Sequence, residues 1–120
     1  MADDPLSELR GGAMALPEVH EVEAWATPTF RVRNKMFAMY IPVGRHGVKR
    51  PEVLVKSTLM NQQLMVQMDP DRYFVPPYMG PGGWVGVYLD RGLDWLDVAE
   101  LLVDGWKMVA GKTLLKQYPI

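Results

Sequence analysis

Seven cations, Arg31, Arg33, Lys35, Arg45, Lys49, Arg50 and Lys56, stand between residues 31 and 56 against a single acid, Glu52, which gives the segment a charge of +6. Guanidinium and ammonium groups in that density suit phosphate oxygens. Arg31 and Arg33 alternate with Phe30 and Val32. A strand over residues 29–33 therefore sends both arginines to one side and the apolar pair to the other. Asn34-Lys35 reads as a tight turn, because Asn tolerates positive φ, and Met36–Ile41 returns as a second strand. A basic hairpin of this kind can meet DNA phosphates in the manner of a wing or β-ribbon. The candidate phosphate contacts are Arg31, Arg33, Lys35, Arg45, Lys49 and Arg50. No base-reading helix is evident, so weak backbone contact is the expectation.

The same residues admit a second reading, a solvated sheet face answered by acids. Asp90, Asp94, Asp97, Glu100 and Asp104 against Arg91 leave −4 around the start of the last helix. That pole suits the basic segment of this molecule or of a neighbouring copy, a homodimer through complementary charges. Nine methionines read chiefly as core filling, with a soft binding surface as the other use. The alternative to DNA binding is thus a non-enzymatic protein-interaction or small-ligand module.

Enzyme chemistry finds little footing. There is no cysteine, and His20 and His46 are the only histidines, neither with a partner at ligand spacing. Glu18, His20, Glu21 and Glu23 read as a solvated acidic turn. The hydroxyls Ser7, Ser57, Thr27, Thr29, Thr58 and Thr113 lie outside any Gly-x-Ser-x-Gly elbow. Gly80-Pro81-Gly82-Gly83 precedes a strand rather than a helix, so it reads as a hairpin turn and not a phosphate loop. No catalytic residue, metal site or cofactor is expected.

The elements that must position the basic segment are α+β in order. Asp4-Pro5 is a cap and first turn for a helix carrying Leu6, Leu9, Ala13 and Leu16, with Pro17 at its exit. Strands are expected at 29–33, 36–41, 52–56, 73–78 (proline-broken, at a sheet edge) and 84–89, an antiparallel sheet of about five. Ser57 or Thr58 caps a short middle helix to about Met68, apolar through Leu59, Leu64 and Met68. Asp94 caps a long last helix, whose Trp95, Val98, Leu102, Trp106 and Val109 recur at helical spacing and pack it on the sheet.

With 120 residues, 48% hydrophobic and 22% charged, the chain fits one domain spanning 1–120. A net charge of −1 argues against a strong non-specific polyanion binder. No run approaches the ~18 apolar residues of a membrane span, and no signal peptide opens the chain. A cytoplasmic protein away from membranes is the expectation.

Several blocks also resemble the MmcQ/YjbR family. They are Ala15-Leu16-Pro17-Glu18-Val19, Trp25 to Val32, Lys35-Met36-Phe37-Ala38, Asp69 to Tyr78, Gly83-Trp84-Val85, Leu93-Asp94-Trp95 and Val109-Ala110-Gly111-Lys112. They keep the family's order from about residue 9 to 116, and the Pro-Pro-Tyr and Gly-Trp-Val pair is the most specific. The resemblance implies an antiparallel sheet flanked by helices, a double-wing or frataxin-like arrangement, and a DNA-binding role without catalytic residues. Gly111 departs from the pattern, where another small residue or proline is usual. Trp84 and Trp95 read as packing residues, and Pro76-Pro77 as a bend.

Overall fold

The structure is a computed structural model that describes residues 4–42, 50–90, 92 and 94–119. Helix α1 (Pro5–Met14) starts as its sequence implies: Asp4 accepts a hydrogen bond from the Leu6 N–H at 3.4 Å, with proline in the first turn. Strands β1 (Val19–Ala24), β2 (Thr27–Val32), β3 (Lys35–Ile41) and β4 (Glu52–Val55) follow. Helix α2 (Leu59–Met68), strand β5 (Tyr73–Phe74), a 3-10 turn at Gly80–Gly82, strand β6 (Val85–Tyr88) and helix α3 (Trp95–Gln117) complete the chain. The strands form one sheet in the order β1-β2-β3-β4-β6-β5, with every neighbouring pair antiparallel. The α+β class, the short middle helix and the long last helix are as expected, with six strands in place of about five.

The additional strand is β1, and it corrects the reading of Glu18 to Glu23 as a solvated turn. Its charges belong to an exposed edge strand: Glu21 and Glu23 are exposed while Val22 and Ala24 are half-buried. Charged side chains on an edge discourage further strand pairing, and they also mask the apolar alternation by which strands are recognised. The hairpin turn is corrected by one residue. Arg33 (φ 50°) and Asn34 (φ 68°) are its two central positions, and Lys35 already pairs with Val32. Two successive left-handed residues match the twist of the flanking strands. Gly80–Gly82 is a helical turn within the β5–β6 connection rather than a tight hairpin, and both bonds of the Pro76-Pro77 bend are trans.

One face of the sheet carries α1 and α3. Phe30, Val32, Phe37, Ala38, Val53 and Val87 pack there against Leu9, Val98, Leu102 and Trp106. Phe30 pairs with Ala38 but Arg31 with Met36, so Phe37 is the extra residue of a β-bulge and joins Ala38 on the helix side. Trp106 is fully buried, and its Nε1 donates to the Pro17 carbonyl at 2.9 Å, tying α3 to the exit of α1. Asp94 caps α3 by accepting from the Leu96 N–H at 2.9 Å. At Gly111 (φ 81°, ψ 164°) the helix breaks and restarts, a backbone conformation open essentially to glycine alone. The opposite face has a smaller cluster of Met39, Ile41, Leu54 and Trp84. Among the described residues no helix is long and apolar enough to cross a membrane.

Candidate nucleic-acid interface

Antiparallel register decides the neighbours of each cation. In the β1–β2 pair His20 stands opposite Arg31, and continuing the same register brings Glu18 opposite Arg33. The Arg33 Nε lies 3.5 Å from the Glu18 carboxylate, with both side chains largely in solvent. Such a pair contributes little and is open to competition. Arg31 is half-buried on the face away from α3, and its Nε donates to the Thr29 hydroxyl at 3.0 Å. Thr29 is itself buried and donates to the Val22 carbonyl at 2.5 Å, so this side of β2 is only partly solvated. Lys35 is exposed at the start of β3. Lys56, following β4, takes a hydrogen bond from its backbone N–H to the Phe37 carbonyl, which sets it at this same end of the sheet. Its ammonium stands 5.9 Å from the Trp84 ring centre. Arg31, Lys35 and Lys56 make no ion pair among the described residues.

Arg50 belongs elsewhere. Glu52 faces Tyr88 across β4 and β6, and the Leu89 N–H donates to the Pro51 carbonyl at 2.8 Å. Two residues further out, that register places Arg50 opposite Asp90. The guanidinium holds both carboxylate oxygens, with Nη2 to Oδ1 at 2.8 Å and Nε to Oδ2 at 3.0 Å. It also lies 3.5 Å above the Tyr88 ring, whose other partner is Phe74 with ring centres 4.5 Å apart. The hydrogen bond to Asp90, aided by its charge and partly offset by burial, raises the guanidinium above its ordinary value. Arg50 therefore clips the start of β4 to the end of β6. Lys35 and Ile41 at the two ends of β3 are six steps apart, roughly 20 Å at ~3.3 Å per residue, and the clip lies beyond Glu52, which faces Ile41.

The six candidate contacts thus do not form one patch. Arg31, Arg33 and Lys35 gather at the β2–β3 end, Arg50 is engaged at the other, and Arg45 and Lys49 lie outside the described residues. Lys56 is the cation the site reading left out. The signal for it was its place in the +6 segment, directly after a strand that must return beside Phe37. The acidic pole is divided as well: Asp90 answers Arg50, and Asp97 accepts from Arg72 Nη1 at 3.2 Å.

A six-stranded antiparallel sheet with two helices on one face and a basic hairpin end defines a small α+β domain. The YjbR family model matches residues 14–108, and the chain belongs to the YjbR family. Its fold is similar to that of the Deinococcus radiodurans protein DR2400, described as a DUF419 domain, with a TM-score of 0.76 at 19% identity, covering 99% of this chain and 93% of that one. A Pseudomonas syringae protein solved by structural genomics is similar at a TM-score of 0.71 and 12% identity, covering 86% of this chain and 97% of that one. A comparison with curated proteins finds no match.

Proposed function

We propose that this YjbR-family chain is a non-enzymatic domain that contacts the DNA backbone through the β2–β3 end of its sheet, in the double-wing manner the family resemblance implies. One observation carries the reading: Arg31, Lys35 and Lys56 share that end without an acidic partner among the described residues, and Arg33 beside them is held only by an exposed pair at 3.5 Å. Phosphate oxygens are the ligands that a hairpin end rich in Arg and Lys accepts best. No base-reading helix is expected from the sequence, so contact stays with the backbone and carries little sequence preference. Arg50 is a structural clip in this reading, while Arg45 and Lys49 support it through charge alone.

Labelled duplex DNA titrated at ~50 and ~200 mM salt tests it, since each phosphate contact adds roughly 0.9 to the slope of log affinity against log salt. Arg31→Ala with Arg33→Ala should weaken binding and reduce that slope by about two contacts. Unchanged affinity in the double variant would sink the assignment. The second reading, a protein-interaction module, is favoured by a different observation, the outward apolar side of α2.

A further inference from the structure

Helix α2 is built inside out. Its one buried residue is Gln62, at 3% exposure, whereas Leu59 (51%), Met60 (72%), Leu64 (51%) and Met68 (82%) face solvent. Met60, Leu64 and Met68 are four residues apart and form a single ridge along the helix. The orientation is held from the polar side. Thr58 accepts from the Asn61 N–H at 3.1 Å, and Gln62 Nε2 donates to the Gly80 and Trp84 carbonyls at 2.9 and 2.6 Å. Gly83, at φ 93°, lets that turn approach the start of α2 so closely that a Cβ would stand 2.7 Å from the Ser57 carbonyl oxygen. The apolar side is thus a fixed outward surface and not the loose side of a frayed helix. A contiguous apolar strip of this kind marks an interaction site.

The ridge borders a groove of about 590 Å³ between α2 and α3, whose apolar lining includes Leu64, Met65, Met68 and Leu101. Among the described residues its rim carries Asp69, Asp97, Glu100 and Asp104 against one cation, Arg72. Arg72 is already taken by Asp97 at 3.2 Å and Asp69 at 3.6 Å. Glu100 and Asp104 have no ion-pair partner among the described residues. We infer that this groove docks a lysine- or arginine-bearing amphipathic helix of a partner protein, its apolar face on the Met60–Met68 ridge and its cations against the α3 acids. From Met60 to Met68 the ridge of α2 is ~12 Å long at 1.5 Å per residue, a fit for a helix laid alongside. Unbranched methionines adapt to the apolar side chains they receive. An anionic lipid surface would be repelled by the rim, and a second copy docked through the same groove would bring its rim acids against these. The inference uses none of the hairpin cations and stands apart from DNA contact.

The test uses a fluorescein-labelled two-heptad leucine–lysine peptide and its leucine–glutamate counterpart, titrated with the full chain by fluorescence anisotropy. The lysine peptide should bind at least about tenfold tighter than the glutamate one. Met60→Lys with Met68→Lys should weaken it by about tenfold or more, and Glu100→Gln with Asp104→Asn by about fivefold, two charges at the strength of exposed pairs. Both pairs replace exposed or rim side chains, and unchanged urea midpoints confirm that the fold persists. Arg31→Ala with Arg33→Ala should leave the peptide affinity as it was, which separates this result from the DNA assay. Equal binding of the two peptides, or full affinity in both groove variants, overturns the proposal. So does self-association abolished by M60K/M68K in sedimentation, which would make a second copy the occupant. Co-sedimentation with phosphatidylcholine–phosphatidylglycerol vesicles that the same variant abolishes would assign the ridge to lipid and likewise overturn it.

Discussion

Helices α2 and α3 line the same groove yet relate to the core in opposite ways. Along α3, Val98, Leu102, Trp106 and Val109 face the sheet and are buried, as an amphipathic helix requires. Along α2 the buried position is a glutamine, Met65 is half-buried against the core, and Leu59, Met60, Leu64 and Met68 face water. The fold draws its stability from α3 by burial of apolar area and holds α2 by specific hydrogen bonds. A helix kept in place by its polar side leaves its apolar side free for another purpose.

The largest expected effect lies on α3. Trp106→Ala removes a fully buried indole and its bond to the Pro17 carbonyl, a change that ordinarily costs about 3–5 kcal/mol. Urea unfolding followed by circular dichroism should show a large share of the domain's margin gone. A loss below ~1 kcal/mol would mean that α3 is not the core's main support. On α2 the corresponding change is Gln62→Leu. It keeps the volume but removes the Gln62 donor from the Trp84 carbonyl and leaves the Gly80 carbonyl with the Gly83 N–H alone, an expected loss of about 1–3 kcal/mol. If the apolar replacement proved neutral or stabilising, α2 would be held by packing, and its outward ridge would need another explanation.

That contrast was only half legible in the sequence. The start of α3 could be read because its signals are local: Asp94 as cap, then apolar residues every three or four positions. Leu59, Met60, Leu64, Met65 and Met68 are spread around α2 without a preferred side, so periodicity could not say which way the helix faces. The direction is set by carbonyls 18 and 22 residues away. The candidate site divides along the same line. Arg31, Arg33 and Lys35 sit on one hairpin and were legible together, with the turn misplaced by one residue. The engagement of Arg50 depends on Asp90, 40 residues on, and follows only once the β4–β6 register is known. Strand β1 went unread because the charges that protect an edge also hide its alternation.

A third test sharpens the view of α3 as a continuous support. Gly111 interrupts the helix at φ 81°, and a Cβ there would meet nothing within 4 Å, so only its own backbone opposes a side chain. If the break is required, Gly111→Ala should destabilise by about 1–3 kcal/mol, the range for a residue held in a glycine-only region. If the chain can straighten instead, alanine should stabilise by up to ~1 kcal/mol through helix propensity. The sign of the change in urea midpoint decides between them, and a gain would mean that residues 112–117 can continue the axis of the buried segment.

The smallest expected effect is the most informative about α2. Met68 is 82% exposed, so Met68→Ser should change stability by no more than ~0.5 kcal/mol. A larger loss would show that the ridge contributes to the fold and would close the contrast between the two helices. A neutral result beside a costly Gln62→Leu separates the two sides of one ten-residue helix. The inward side then specifies its position, and the outward side carries apolar area that the isolated domain does not use. Side chains that stability does not need, aligned along one ridge beside acids with no ion-pair partner among the described residues, are what a docking surface for a basic helix requires.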